Sequence, residues 1–308
     1  MNKRVAVMDL GTNTFHLLIA EGDIDNFQEI IHRHEAVKIG EGGINKGIII
    51  PAAFERGVAM MKDFKQQISA CNVEMVKAIA TSALRSASNG KDFIEKVKAE
   101  TGIEIEIVDG DREAAYIYNG VKSAGLLSTQ NSLIVDIGGG SVEFIISNDK
   151  QLTWKQSLEI GAARLMERFH HTDPIQPASI EALNLYLEHT LADLFGAVKQ
   201  NPMKQIIGSS GAFETFAELI EAERSDSFDL KKIKAYDFDE EELLTVTDKL
   251  ILSSHTERAN NKLIIPVRVD MIVVASLITR YIMQRLEISQ VSLCTYSLKE
   301  GVLVEMMS

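Results

Sequence analysis

Apolar and polar residues alternate along the first part of the chain in a way that predicts an ordered series of strands and helices. Strands are expected at 4–10, 14–22, 27–38, 73–80 and 103–108. Helices are expected at 51–70, 88–100 and 111–124. The first helix begins at Pro51, a residue suited to a first helical turn, and its apolar residues recur at helical spacing. The predicted order is therefore β-β-β-α-β-α-β-α.

The rest of the chain repeats this order with insertions. Strands are expected at 132–137, 141–147, 151–158, 204–208 and 289–295. Helices are expected near 161–170, 177–199, 211–222, 239–253, 268–286 and 297–307. Because both parts begin with three strands and continue with alternating helices and strands, the pattern indicates two related α/β halves.

A short polar turn joins the first two strands of each half. Asp9 ends the first strand of one half and Asp136 that of the other, each followed two positions later by glycine. Glycine lets a bulky anion approach the main chain, and the N–H groups and hydroxyls of such a turn donate to phosphate oxygens. The aspartate at each turn can hold a divalent cation, directly or through water. The turn residues are Gly11, Thr12 and Asn13 in the first half and Gly138, Gly139, Gly140 and Ser141 in the second.

The length of the chain agrees with a division into two domains. A single Asp-x-Gly turn is usually an ordinary hairpin, but its repetition indicates two halves that bind phosphate from two sides. The 308 residues suit domains at 1–125 and 126–308, and the short junction predicts a cleft between them. The last helix, at about 297–308, is a candidate to pack back onto the first domain.

The net charge of −12 limits the classes of partner that the protein can have. An acidic protein is a poor match for nucleic acid or for an anionic membrane surface. The longest late apolar run, 271–279, is too short to span a bilayer, and no secretory signal is evident, so a cytoplasmic location is expected. Binding of a polyanion then requires locally gathered positive charge or a divalent cation.

Two further residues have chemistry that suits a phosphate site. Arg85 lies in the hydroxyl-rich stretch 81–86 directly after a predicted strand, where open α/β sheets place ligands. Glu113 lies near the start of the helix that follows strand 103–108. The simpler interpretations are a solvated arginine at a helix start and a carboxylate that interacts with the helix dipole. The positions of both residues at strand ends favour a role in the predicted cleft.

Several motifs in this order resemble those of the exopolyphosphatase and guanosine pentaphosphate phosphohydrolase (Ppx/GppA phosphatase) family. The resemblance covers nearly the whole chain. The matching segments are Asp9–Leu18, Ala80–Arg85, Gly110–Ala114, Asp136–Glu143, Ser157–Leu158, Gly161–Leu165, Gly208–Gly211, Arg268–Asp270 and Ser297–Gly301. The resemblance implies a duplicated actin-like ATPase (ribonuclease H-like) fold with a cleft between its two domains.

The resemblance also implies a role for each matching residue. Glu113 would be the general base that deprotonates the attacking water, with Asp136 and Glu143 ordering the metal or the water. Asp9, Asp136 and Glu143 would be the ligands of Mg²⁺ or Mn²⁺. The two turns and Arg85 would hold the terminal phosphate. Residues Gly208, Ser209, Ser210 and Gly211 would meet the far end of the ligand or a nucleotide.

The function that the resemblance implies is release of orthophosphate from inorganic polyphosphate or from guanosine pentaphosphate. These substrates share a triphosphate end, and the sequence does not separate them. Lys299 stands where the family often has arginine before Glu-Gly, which preserves the charge but not the two-pronged geometry. A small-molecule kinase of the same fold and a non-catalytic phosphate or nucleotide sensor remain alternatives. A homodimer is also implied by the family, although no sequence feature identifies its surface.

Overall fold

The computed structural model describes residues 3–23, 26–224 and 228–308. These residues form two compact units. Unit 1 comprises the chain up to Ser123 together with Leu298–Ser308, and unit 2 comprises Ala124–Ser297. The last helix of the chain belongs to unit 1.

The strands and helices of unit 1 follow the order expected from the sequence. In chain order they are β1 (Lys3–Leu10), β2 (Phe15–Gly22), β3 (Phe27–Glu35), α1 (Pro51–Ala70), β4 (Met75–Ala80), α2 (Ser82–Ser86), α3 (Gly90–Thr101), β5 (Ile105–Ile107) and α4 (Gly110–Ala124). The short helix α2 was not predicted as a separate element. It occupies the stretch that contains Arg85.

Unit 2 has the same series with additional elements. In chain order they are β6 (Ser132–Ile137), β7 (Val142–Ser147), β8 (Leu152–Leu158), α5 (Ala162–Phe169), α6 (Pro177–Thr190), α7 (Ala192–Gln200), β9 (Gln205–Gly208), α8 (Gly211–Arg224), β10 (Ala235–Asp237), α9 (Glu240–Leu252), α10 (His255–Asn260), α11 (Ile272–Leu286) and β11 (Gln290–Cys294). The chain then continues into α12 (Leu298–Met307).

The two sheets confirm that the halves share one topology. Unit 1 has the strand order β3-β2-β1-β4-β5, and unit 2 has β8-β7-β6-β9-β11 with β10 added at the edge. In both sheets the first three strands are antiparallel neighbours and the inner strands that follow pair in parallel. Sheets of this kind place ligands at the carboxyl ends of their parallel strands, so a ligand site is expected at these ends.

Each face of the unit 1 sheet is covered by helices. On β1, the side chains of Ala6, Met8 and Leu10 belong to one apolar cluster together with residues of α1 and α3. Side chains alternate along a strand, so Val5, Val7 and Asp9 point to the opposite face. Helix α12 packs against β1 and β2, and its Gly301 lies against the main chain of α4.

Three features of unit 2 differ from the sequence-based expectation. The helix predicted over 177–199 is two helices, because Leu191 leaves the helical path and is fully buried. The apolar periodicity of residues 177–199 continues across Leu191, so the sequence pattern predicts one continuous helix. Strand β10 and helix α10 were not predicted, since elements of 3 and 6 residues are too short to show a period. The order of the longer elements is confirmed.

Candidate active site

The turn between β1 and β2 has its carbonyl groups directed to one side. The turn consists of residues 11–14, between the paired residues at the strand ends. The carbonyl oxygen of Thr12 accepts from Gly40 N–H at 3.0 Å, and that of Asn13 accepts from Lys38 N–H at 2.8 Å. In a trans peptide the C=O and the next N–H point in opposite directions. The N–H groups that follow these carbonyls therefore point to the opposite side, where an anion could be bound.

Glu113, which is buried, and Arg85, which is partly exposed, form an ion pair in unit 1. Glu113 lies in the first turn of α4, after β5, and is 5% exposed. Arg85 lies on α2, after the neighbouring parallel strand β4. Its Nη1 donates to Glu113 Oε2 at 2.8 Å and to the carbonyl oxygen of Val108 at 3.1 Å. Arg85 is thus not a solvated surface residue, and it orients the carboxylate that the sequence singled out.

Asp9 lies in an acidic environment at the carboxyl end of β1. Burial raises the pKa of Asp9 to about 7, and the negative charges of Glu113 and Glu300 act in the same direction, while Lys299 opposes them. Its Oδ1 is buried and accepts no hydrogen bond from any residue in the described parts of the chain. A buried carboxylate oxygen without a donor is stabilised by a proton or by a cation.

The residues Lys299 and Glu300 were not among the predicted site residues. They lie in the first turn of α12 and are 7% and 1% exposed, with Lys299 Nζ 3.0 Å from Glu300 Oε1. α12 approaches α4 closely because residue 301 is glycine, where a Cβ would overlap the carbonyl group of Tyr116. The Lys-Glu-Gly run was visible in the sequence. Its place beside Asp9 depends on the last helix returning to unit 1.

The turn between β6 and β7 in unit 2 is anchored by the start of α5. The carbonyl oxygens of its three glycines accept backbone N–H groups at 2.9–3.1 Å, in the pairs Gly138 with Ala162, Gly139 with Ala163 and Gly140 with Gly161. A Cβ at Gly161 would overlap the main chain of Gly139 and Gly140, so only glycine permits this approach. As in unit 1, the carbonyl groups are occupied on one side and the following N–H groups point to the other.

Asp136 and Glu143 lie side by side on the unit 2 sheet. Asp136 pairs with Glu143 across β6 and β7, and Glu143 pairs with Ser157 across β7 and β8. Residues directly opposite each other in an antiparallel pair share a face. The hydroxyl of Ser157 donates to Glu143 Oε1 at 2.7 Å, and that of Ser209 donates to Asp136 Oδ2 at 2.9 Å. The structure therefore brings together two of the three predicted metal ligands.

The segment 208–211 follows β9 and is tied to the same turn. Besides the bond from Ser209 to Asp136, the hydroxyl oxygen of Ser210 accepts from Ile137 N–H at 3.2 Å. Gly211 lies directly against the guanidinium of Arg268, which pairs with Glu214 at 2.6 Å. Both serine hydroxyls of the predicted distal-ligand segment are thus used in holding the Asp136 turn.

The magnesium that the family resemblance implies can be tested against these donors. In the parts of the chain that the structure describes, no three His, Cys, Asp or Glu side chains are arranged to hold a metal ion. Mg²⁺ does not require such a group, because one or two carboxylates commonly bind it together with waters and substrate phosphates. The unpartnered oxygen of Asp9 in unit 1 and the pair Asp136 and Glu143 in unit 2 are donors of this kind. Each unit thus has carboxylate oxygens of a kind that suits a divalent cation bound together with phosphate.

Comparison with known proteins agrees with this fold. The model of the Ppx/GppA phosphatase family matches residues 18–308. An exopolyphosphatase from Cytophaga hutchinsonii is 38% identical, with 99% of this chain and 98% of that chain covered and a TM-score of 0.96. The PPX-GPPA enzyme from Aquifex aeolicus is 26% identical, with 99% and 100% covered and a TM-score of 0.82.

The family match and the fold place the protein in a class of phosphatases built from two actin-like halves. More narrowly, the chain belongs to the Ppx/GppA phosphatase family. The resemblance and the fold class expected from the sequence are both confirmed. No helix of the described residues is long and apolar enough to cross a membrane.

Proposed function

We propose that this protein hydrolyses terminal phosphoanhydride bonds and releases orthophosphate from inorganic polyphosphate or from guanosine pentaphosphate. The observation that carries the proposal is the buried Glu113, whose Oε2 lies 2.8 Å from Arg85 Nη1 at the carboxyl ends of β4 and β5. Membership of the Ppx/GppA phosphatase family supports it, as does the 38% identity to a protein described as an exopolyphosphatase.

Glu113 is proposed as the general base. Phosphoryl transfer passes through a loose transition state, so the protein mainly positions the nucleophile and neutralises charge on the phosphoryl oxygens. The carboxylate of Glu113 orients a water molecule and accepts its proton as the bond to phosphorus forms. Arg85 keeps this carboxylate in one orientation and supplies positive charge for the terminal phosphate.

The two turns are proposed to bind the phosphate oxygens. Their carbonyl groups are occupied by the Lys38–Gly40 segment in unit 1 and by the start of α5 in unit 2. The N–H groups on the other side, with the hydroxyls of Thr12 and Ser141, are donors of the kind that phosphate requires. Because the net charge is −12, such local donors are needed for binding a polyanion.

Asp9, Asp136 and Glu143 are proposed to hold Mg²⁺ or Mn²⁺. The cation would neutralise part of the negative charge on the phosphates. In this proposal, Gly208, Ser209, Ser210 and Gly211 keep the Asp136 turn in place next to the part of the ligand that is remote from the scissile bond.

Phosphate release from defined substrates tests the proposal. Long-chain polyphosphate and guanosine pentaphosphate are each supplied with Mg²⁺ and no acceptor, and orthophosphate is measured. Release from either substrate is the expected result, and the ratio of kcat/KM values identifies the preferred one. Phosphate transfer that requires ATP and an added acceptor would instead indicate a kinase. Tight binding of polyphosphate without turnover would indicate a sensor.

A further inference from the structure

Two serine hydroxyls bind the two carboxylates of the unit 2 site from opposite sides. The strands lie in the order β9-β6-β7-β8. Ser209, directly after β9, donates to Asp136 at the end of β6, and Ser157 on β8 donates to Glu143 on β7. The result is one row of four polar side chains, serine–carboxylate–carboxylate–serine, across four neighbouring strands.

The members of this row differ in burial. Ser209 is 0% exposed and Glu143 is 1% exposed, while Asp136 and Ser157 are half-buried. The carboxylate of Glu143 in particular depends on the donors that it receives, because water has little access to replace a lost hydrogen bond. A hydroxyl that donates to one carboxylate oxygen also selects the rotamer of that side chain, which determines where the other oxygen points.

Another serine, on the strand β7 that carries Glu143, shows that a buried hydroxyl in this sheet is not always hydrogen-bonded to a neighbour. Ser147, at the other end of β7, is fully buried, and its hydroxyl has no hydrogen-bond partner among the described residues. Ser157 and Ser209 differ from it in being the lateral neighbours of the two carboxylates. Their bonds of 2.7 and 2.9 Å are in the range of charge-assisted hydrogen bonds.

We propose that Ser157 and Ser209 are positioning residues that hold Glu143 and Asp136 in the orientation in which they bind a divalent cation. This inference rests on the proposed function, in which these two carboxylates are metal ligands. Donors that orient metal ligands typically change metal affinity or activity about 10-fold to 100-fold when removed. Neither serine touches the reacting atoms in this proposal.

The test is the binding of Mn²⁺ in the presence of inorganic phosphate, which supplies oxygens in place of the substrate, and the electron paramagnetic resonance signal of the free ion measures it. The variants are Ser157→Ala, Ser209→Ala, Ser157→Thr and the matched control Ser147→Ala. We expect the first two to bind Mn²⁺ about 10-fold to 100-fold more weakly than the parent. Ser157→Thr keeps a hydroxyl and should bind as the parent does, and Ser147→Ala should be unchanged.

Kinetics of phosphate release give a second readout. The two alanine variants should lower kcat and raise the Mn²⁺ concentration needed for half-maximal rate, with a smaller change in KM for polyphosphate. Thermal melting establishes that each variant is folded at the assay temperature, and Ser157→Ala decides the matter if Ser209→Ala does not fold. Equal Mn²⁺ affinity in the parent and in folded Ser157→Ala would overturn the proposal, as would the absence of Mn²⁺ binding by the parent. Phosphate release by the parent tests the proposed function separately.

Discussion

Glu113 and Arg85 illustrate how one ion pair can serve both stability and chemistry. Burial of an unpaired carboxylate costs several kcal/mol, so a buried glutamate needs a partner that is held in place. Arg85 meets this need, and its second bond to the carbonyl oxygen of Val108 fixes the guanidinium. The pair therefore gives the proposed base one orientation before substrate binds.

Replacement of the proposed base should separate turnover from binding. We expect Glu113→Gln to lower kcat about 100-fold to 10,000-fold, because the amide cannot accept the proton of the attacking water. The dissociation constant for polyphosphate should change little, since the phosphate donors remain. The matched control is Glu104→Gln, an exposed glutamate of unit 1 that pairs with Lys98. Undiminished turnover in folded Glu113→Gln would remove this residue from the mechanism.

Asp173 and Arg258 form a structural ion pair in unit 2. Arg258 is 2% exposed and its Nη2 lies 2.9 Å from Asp173 Oδ1. Burial alone would raise the pKa of Asp173, but the N–H of His255 and the guanidinium of Arg258 both donate to it and bring the pKa below its usual value. The stabilisation from this carboxylate is therefore complete above the unfolded pKa of about 3.9 and is lost as the pH falls through the folded value.

The pH dependence of unfolding should report this pair. At pH 7 we expect Asp173→Asn to lower the free energy of unfolding by about 1–3 kcal/mol, less than for a fully buried pair because the carboxylate is partly exposed. Below about pH 4 the difference between parent and variant should shrink, because the unfolded parent then binds a proton at Asp173 while the folded carboxylate does not, and the contribution of the charge is lost once the pH has fallen through the lowered pKa of the folded state. Urea unfolding of the parent and the variant at several pH values measures this difference in the free energy of unfolding. A difference that is constant with pH would show that the charge of Asp173 is not what stabilises Arg258.

Both units contain a similar turn between their first two strands, but different segments of the chain hold it in place. In unit 1 the turn carbonyls accept from the segment after β3, and in unit 2 they accept from the start of α5. The strand pairs beneath them have also diverged. Asp9 lies opposite His16, whereas Asp136 lies opposite the second carboxylate, Glu143. The two halves therefore share the turn but differ in the charge that they place beside it.

A change at Gly161 should disturb the unit 2 turn specifically. A Cβ there would overlap the main chain of Gly139 and Gly140, so Gly161→Ala must displace the turn. We expect KM for polyphosphate to rise about tenfold or more, equivalent to about 1.4 kcal/mol of binding free energy. The control is Gly196→Ala within α7, where an added Cβ meets nothing within 4 Å and helix propensity should raise stability by about 0.5–1 kcal/mol. Unchanged KM in Gly161→Ala would show that this turn does not bind the substrate.

The last helix of the chain packs against the first strand. Helix α12 follows the last strand of unit 2 but packs on β1 in unit 1. Its buried apolar residues cover the sheet face that carries Asp9, and Glu305 near its end is bonded to Tyr116 and Lys77. The helix thereby brings Lys299 and Glu300 to Asp9, in the unit 1 site that also includes Glu113.

Removal of this helix should affect one unit and spare the other. In a variant that ends at Ser297, we expect hydrogen exchange in β1 and β2 to accelerate at least tenfold, while β6 and β7 keep their protection. The reason is the loss of the buried side chains of Leu298, Val302, Leu303 and Met307, each worth about 1.5–3 kcal/mol. Mass spectrometry of exchanged peptides reports both units in one experiment. Equal protection of β1 in the two forms would contradict the packing described.

The sequence was sufficient for the order of the long elements and for the residues at strand ends. Asp9, Glu113 and Asp136 could be selected because each lies at or soon after the end of a strand and within three positions of a glycine, a local pattern that needs no tertiary information. The break at Leu191 and the strand β10 could not be predicted, because packing and pairing with β11 create them. The bonds from Ser157 to Glu143 and from Ser209 to Asp136 could not be predicted, because they depend on strand register.

Local chemistry and periodicity thus establish a duplicated α/β chain with two glycine turns, their aspartates and a glutamate at a helix start, while the role of that glutamate as a base comes from the family resemblance. These are properties of neighbouring residues, and steric and hydrogen-bonding rules act on neighbours directly. Which distant residues meet is a different matter. The pairing of Arg85 with Glu113, the approach of Lys299 and Glu300 to Asp9 and the serine–carboxylate row each join segments far apart in the chain. Such contacts follow from sheet register and helix packing, which are set by burial summed over many residues.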